Sequence, residues 1–63
     1  MRTTYNVEFV FEHMVIITTV EVDESDVSDE FIIEEARQHL IGYYKIDPEV
    51  LHLQDVNVFE MSN

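Results

Sequence analysis

Apolar and polar side chains alternate from the first residues of the chain. Tyr5, Val7, Phe9 and Phe11 share one parity, and Asn6, Glu8, Val10 and Glu12 the other. A period of two with one strongly apolar face predicts a β-strand. Glu12-His13-Met14 interrupts the alternation, with neither Gly nor Asn-Gly to specify a turn type. Val15 to Val22, VIITTVEV, is rich in β-branched residues and predicts a second strand. Its Ile16, Val20 and Val22 point to one face, its Val15 and Ile17 to the other. A hairpin is the simplest connection.

The period changes after Val22. Asp23 to Val27 predicts a loop, with Ser28 or Asp26 able to cap a helix by accepting an orphan amide hydrogen bond. Asp29 and Glu30 then fall in the first turn, where carboxylates favour the positive end of the helix dipole. Ile32, Ile33, Ala36, Leu40 and Tyr43 make one buried stripe, with Glu30, Glu34, Arg37 and Gln38 opposite. The helix therefore runs from about Asp29 to about Tyr44. Gly42, near its end, either terminates it or permits close packing on the sheet. Phe31 and Ile41 lie off the stripe, and Phe31, beside an acidic face, is a candidate anchor for a partner. Ile46-Asp47-Pro48-Glu49 predicts a turn capped by Asp47, and Leu51 to Met61 a third strand.

The order β-β-α-β predicts an α+β domain. One helix packs on a three-stranded, mainly antiparallel sheet of order 2-1-3. A single helix covers a single face. Val10, Val15 and Ile17, with some of Leu53, Phe59 and Met61, are left to the other face or to an edge, an apolar patch that calls for a covering. A homodimer through that face or an edge strand is expected, with Val10, Val15 and Ile17 in its interface.

Composition narrows the possibilities. Sixty-three residues make one domain, and a domain of this size buries only roughly 60% of the surface its unfolded chain exposes. Without cysteine, neither a disulfide nor a thiolate metal site can support the thin core. A hydrophobic content of 46% still sets the chain apart from a disordered acidic tail. The N-terminal MRTTYNVEFV lacks the apolar region of a secretory signal, and no apolar run approaches the roughly 20 residues of a membrane span. A whole small gene product in the cytoplasm is the expectation.

Charge changes the picture most. Fourteen carboxylates face only Arg2, Arg37 and Lys45, for a net charge of -11. Solubility of a small domain needs a net charge of only about 2–8. Such a field repels nucleic acid and anionic membrane and attracts cationic surfaces. Glu21, Asp23, Glu24, Asp26, Asp29, Glu30, Glu34 and Glu35 crowd into one stretch, EVDESDVSDEFIIEE. Asp26, Glu30 and Glu34 recur every fourth residue, the spacing of one helix face.

Catalytic and metal-binding patterns are missing from the sequence. There is no cysteine nucleophile, no G-x-S-x-G and no glycine-rich phosphate loop, since Gly42 is the only glycine. Paired carboxylates abound, yet a domain this small offers no deep cleft to raise one pKa and hold a substrate. His13, His39 and His52 lack metal-ligand spacing. Glu35 and His39, four apart, predict a surface ion pair. An EF-hand frame starting at Asp23 puts Val27 at the fifth position and Ser28 at the sixth, where an oxygen ligand and Gly are needed. The expectation is a protein that acts by binding, without catalysis, cofactor or metal.

Rows of negative charge on a rigid frame are also what a nucleic-acid backbone presents to the Lys and Arg grooves that bind it. In size and charge, over the whole chain and without a shared motif, the protein is similar to small acidic proteins of phages and mobile elements that block host DNA-binding enzymes. Some of those act as DNA mimics. The resemblance implies an inhibitor that competes for a basic, nucleic-acid-binding surface. Asp23, Glu24, Asp26, Asp29, Glu30, Phe31, Glu34 and Glu35 are the candidate contact residues from the charge pattern. The alternative is a small structural or accessory subunit that docks through an apolar sheet face or a strand edge.

Overall fold

Three strands and one helix follow in the order strand-strand-helix-strand. They were described from a computed structural model covering residues 2–23 and 27–61. Strands β1 (Thr3–Phe11) and β2 (Val15–Val22) form an antiparallel hairpin, paired without a break from Thr3↔Val22 to Val10↔Val15. The Phe11 amide donates to the Met14 carbonyl at 2.8 Å, so the interruption seen in the sequence is a tight turn with Glu12 and His13 at its tip. Strand β3 (Leu53–Met61) pairs antiparallel with β1 on its other side, giving the order β2-β1-β3. A bulge between Val10 and Phe11 interrupts that second pairing.

The alternation of β1 fixes which face is buried. Val7, Phe9 and Phe11 point inward and are buried, joined by Val20 and Val22 from β2. Ile32, Ala36 and Leu40 of the helix close over them. Phe9, Ile32 and Leu40 are among the largest fully buried side chains, each stabilising the fold by about 1.5–3 kcal/mol through removal from water. Tyr5, Ile16, Val27, Leu51, Leu53, Val56 and Val58 pack around the margin. Leu53 thus belongs to the core side, next to Phe11, and not to the open face.

Helix α1 (Asp29–His39) starts where its cap dictates. Ser28 is extended, and its hydroxyl accepts a hydrogen bond from the Phe31 amide at 3.3 Å. Asp26, the other candidate cap, lies outside the described residues. Asp29 and Glu30 occupy the first turn and Arg37 and His39 the last, both matched to the helix dipole. The helix continues through a π-helical segment, Leu40–Tyr44, giving one helix of sixteen residues packed on the sheet.

That segment overturns two expectations. Tyr43 is 80% exposed and does not extend the buried stripe. A π turn closes between residues five apart, so each residue rotates less than in an α-helix and the Tyr43 ring falls short of the sheet. Gly42 neither ends the helix nor lets it approach the sheet, because a Cβ placed there meets nothing within 4 Å. The stop comes at Lys45, in the left-handed conformation (φ 59), where the Leu40 carbonyl accepts from both the Lys45 and Ile46 amides. This is the position glycine usually takes. Beyond it, Asp47 accepts from the Glu49 amide at 3.0 Å and Pro48 is buried, the turn expected there.

The face away from the helix is open. In β2-β1-β3 order it presents the rows Val15–Val10–Asp55, Ile17–Glu8–Asn57, Thr19–Asn6–Phe59 and Glu21–Thr4–Met61. Hydrogen bonds tie the polar middle together, Asn57 Nδ2 to Glu8 Oε1 and Thr19 Oγ1 to Asn6 Oδ1, both at 3.0 Å. Val10, Val15 and Ile17 share one corner of this face, Val15 and Ile17 each 54% exposed. Phe59 and Met61 occupy the opposite corner, also exposed.

Candidate functional site

The acidic stretch is divided by the fold into two surfaces. At the C-terminal end of β2, a groove of roughly 420 Å³ runs between the strand edge and α1. Glu21, Val22, Asp23, Val27, Phe31 and Glu35 line it. Strand alternation sends Val22 into the core and leaves Glu21 and Asp23 as exposed walls. On the helix, Phe31 and Glu35 are one turn apart and face the same side. Phe31 is 47% exposed and so open to a visitor. Three carboxylates around an apolar floor can hold a cation whose alkyl stem or neighbour is apolar.

Two of these lining residues already hold a cation of the chain, Arg2, which is not itself part of the lining. Arg2 Nη1 lies 3.1 Å from Glu21 Oε2, and Arg2 Nε donates to Asp23 Oδ1 at 3.1 Å. The hydrogen bond to Asp23 raises the pKa of the guanidinium, and the charges of Glu21 and Asp23 add to the effect. All three side chains are exposed, so solvent screens the pairs and their contribution to stability is small.

The second surface is the outward face of α1. Glu30 and Glu34 stand exposed there, with Gln38 Nε2 donating to Glu34 Oε1 at 3.2 Å, while Asp29 is exposed in the first turn, in line with Ile32 and Ala36. Among the described residues no cation lies within ion-pair distance of Asp29, Glu30, Glu34 or Glu35. Arg37 points the other way, toward Glu49 at 3.9 Å. Of the sequence-based candidates, Asp23, Phe31 and Glu35 meet in the groove, Glu30 and Glu34 lie on the outer face, and Asp29 is exposed at the helix start. Glu24 and Asp26 lie outside the described residues. Glu21 was not among the candidates. The signal for it was its parity in β2, opposite to the buried Val20 and Val22 and next to Asp23.

Glu35 and His39 do not form the expected pair. His39 Nδ1 instead approaches Thr18 Oγ1 at 3.3 Å, and its ring meets Tyr43 edge-on with centroids 5.5 Å apart. Thr18 is a buried polar residue of β2, and the contact supplies its hydroxyl with a partner. Among the described residues no cluster of three or more His, Asp or Glu is placed to hold a metal ion, and no helix is long and apolar enough to cross a membrane. No protein-family model, no curated protein and no solved structure matches the chain.

Proposed function

We propose that this is a non-enzymatic acidic binding protein that occupies the cationic surface of a nucleic-acid-binding protein and so competes with nucleic acid. The observation that carries this reading is the acidic groove: Phe31 lies among Glu21, Asp23 and Glu35, and Arg2 already bonds two of the three. A partner's arginine or lysine would enter the groove beside Glu35 and compete with Arg2 for Glu21 and Asp23, its apolar neighbour lying against Phe31. The uncompensated carboxylates of the outer helix face extend the same negative field and steer a basic partner toward the groove.

The test is competition. A basic protein captured from a lysate of the source or its host is bound to a fluorescent duplex, and displacement is followed by anisotropy as the acidic protein is added. Displacement should weaken steeply with rising salt, because exposed charges are screened over about 10 Å at 0.1 M ionic strength. Glu30→Lys with Glu34→Lys probes the outer face, and Asp23→Lys with Glu35→Lys the groove. Undiminished displacement by both double variants refutes the proposal.

Exposed Val15, Ile17, Phe59 and Met61 favour a second reading, an accessory subunit that docks through the open sheet face or a strand edge. Salt separates the two, since an apolar interface changes little with ionic strength.

A further inference from the structure

The two edges of the sheet are built differently. The β3 edge carries Asp55 and Glu60, and its pairing with β1 contains the bulge at Val10/Phe11. Charges and bulges are devices by which natural sheets keep an edge from pairing with another chain. The β2 edge has eight residues in unbroken register, no proline, no lysine, and Glu21 as its one formal charge. In a chain of net charge -11, the run from Met14 to Val20 carries no charge at all.

The tight turn fixes which backbone groups this edge offers. The Phe11–Met14 hydrogen bond makes that a bonded pair, and bonded pairs alternate along an antiparallel ladder. Ile16, Thr18, Val20 and Val22 therefore point their amides and carbonyls at β1. Those of Val15, Ile17, Thr19 and Glu21 point away, an unpaired row that fits another strand.

We propose that the chain forms a two-fold homodimer by antiparallel pairing of β2 with the β2 of a second copy, Thr18 facing the partner's Thr18. This goes beyond the acidic groove and does not depend on it. In that register Val15 pairs with the partner's Glu21 and Ile17 with the partner's Thr19, so every outward group is used, in about eight hydrogen bonds. Charge selects the occupant and the direction. The two Glu21 residues end up six positions apart along the seam, about 20 Å, or about two Debye lengths at 0.1 M salt. A parallel pairing would stack one on the other. A basic segment from another protein finds no carboxylate along Val15–Val20 to meet, whereas a second copy brings an equally neutral row.

The helix side agrees with this arrangement. Thr18 lies under His39, which touches Tyr43, so an axis through Thr18 draws both aromatic pairs toward the seam. The exposure of Tyr43 then has a use. Glu21 and Val22 of the groove fall at the end of the paired segment and Asp23 beyond it, so one acidic groove stands at each end of the dimer, bordered by the partner's Met14.

The experiment is sedimentation equilibrium with three variants. Wild type should show twice the 7.5 kDa chain mass at tens of micromolar. Thr19→Pro removes an amide that faces away from β1, so it should leave the circular dichroism spectrum intact and yield monomer. Thr18→Cys, in a chain without other cysteines, should oxidise to a covalent dimer, because facing residues of a non-hydrogen-bonded pair stand about 4.5 Å apart between Cα atoms, inside the disulfide range. Phe59→Cys, on the open face, should stay monomeric under denaturing, non-reducing electrophoresis. A monomer mass up to millimolar concentration overturns the proposal. So does a dimer that survives Thr19→Pro, or one that cross-links through Phe59→Cys and not through Thr18→Cys. If Thr19→Pro fails to fold, the cysteine pair decides.

Discussion

Phe31 and Ile32 are adjacent, both large and apolar, and differ in which way the helix turns them. Ile32 is 1% exposed under the sheet, whereas Phe31 is 47% exposed in the groove. Truncating Ile32 to Ala removes fully buried methyl and methylene groups and leaves a cavity, a loss of about 2–5 kcal/mol. Phe31→Ala gives up about half of a side-chain burial worth about 1.5–3 kcal/mol. It recovers a few tenths through the better helix propensity of Ala, so the net loss is about 1 kcal/mol or less. A 63-residue domain at roughly 0.05–0.15 kcal/mol per residue has about 3–9 kcal/mol to lose. Ile32→Ala should therefore leave a barely folded protein and Phe31→Ala a sound one. Urea unfolding followed by far-UV circular dichroism, with a common slope, gives both values. Equal losses, or a larger loss at Phe31, would mean that the helix is rotated on the sheet, and the groove as described would not exist.

Three further outcomes follow from particular contacts. Ser28→Ala removes the hydroxyl that accepts the Phe31 amide and should cost about 1 kcal/mol, a fall in Tm of about 4–8 °C for a domain this small. Gly42→Ala should raise stability by about 0.4–1 kcal/mol, since its φ is not positive and the new Cβ meets no neighbour. Raising salt should raise Tm by several degrees, because a net charge of -11 repels itself across a small molecule; an unchanged or falling Tm in calorimetry would contradict this.

The fold was legible because the two periods are clean. Alternation at Tyr5, Val7, Phe9 and Phe11, the β-branched run from Val15, and the stripe of Ile32, Ala36 and Leu40 specify three strands, one helix and the order 2-1-3. The helix end near Tyr44 was legible, but not what stops the helix there. Glycine is the usual stop signal, and here Gly42 sits inside the helix while Lys45 takes the left-handed position. A side chain with a Cβ in that conformation leaves no mark in the sequence. Tyr43 was misplaced for the same reason, since a 3.6-residue period does not anticipate a π turn. Of the contact surface, the acidic residues were legible as a cluster, but not their division into groove and outer face. That division depends on how the helix lies across β2, a tertiary fact that joins Glu21 and Asp23 to Phe31 and Glu35 over a loop. His39 likewise found Thr18, distant in sequence, in place of Glu35, one turn away.

The most direct test of the account compares two baits in one capture experiment. Wild-type protein and the Asp23→Lys/Glu35→Lys double variant are immobilised side by side, exposed to lysate of the source or its host, and eluted with a salt gradient. The account predicts that the wild type retains nucleic-acid-binding proteins and releases them at moderate salt, and that the variant does not retain them. The same proteins held equally by both baits, or released only at salt high enough to screen every exposed charge, would contradict it.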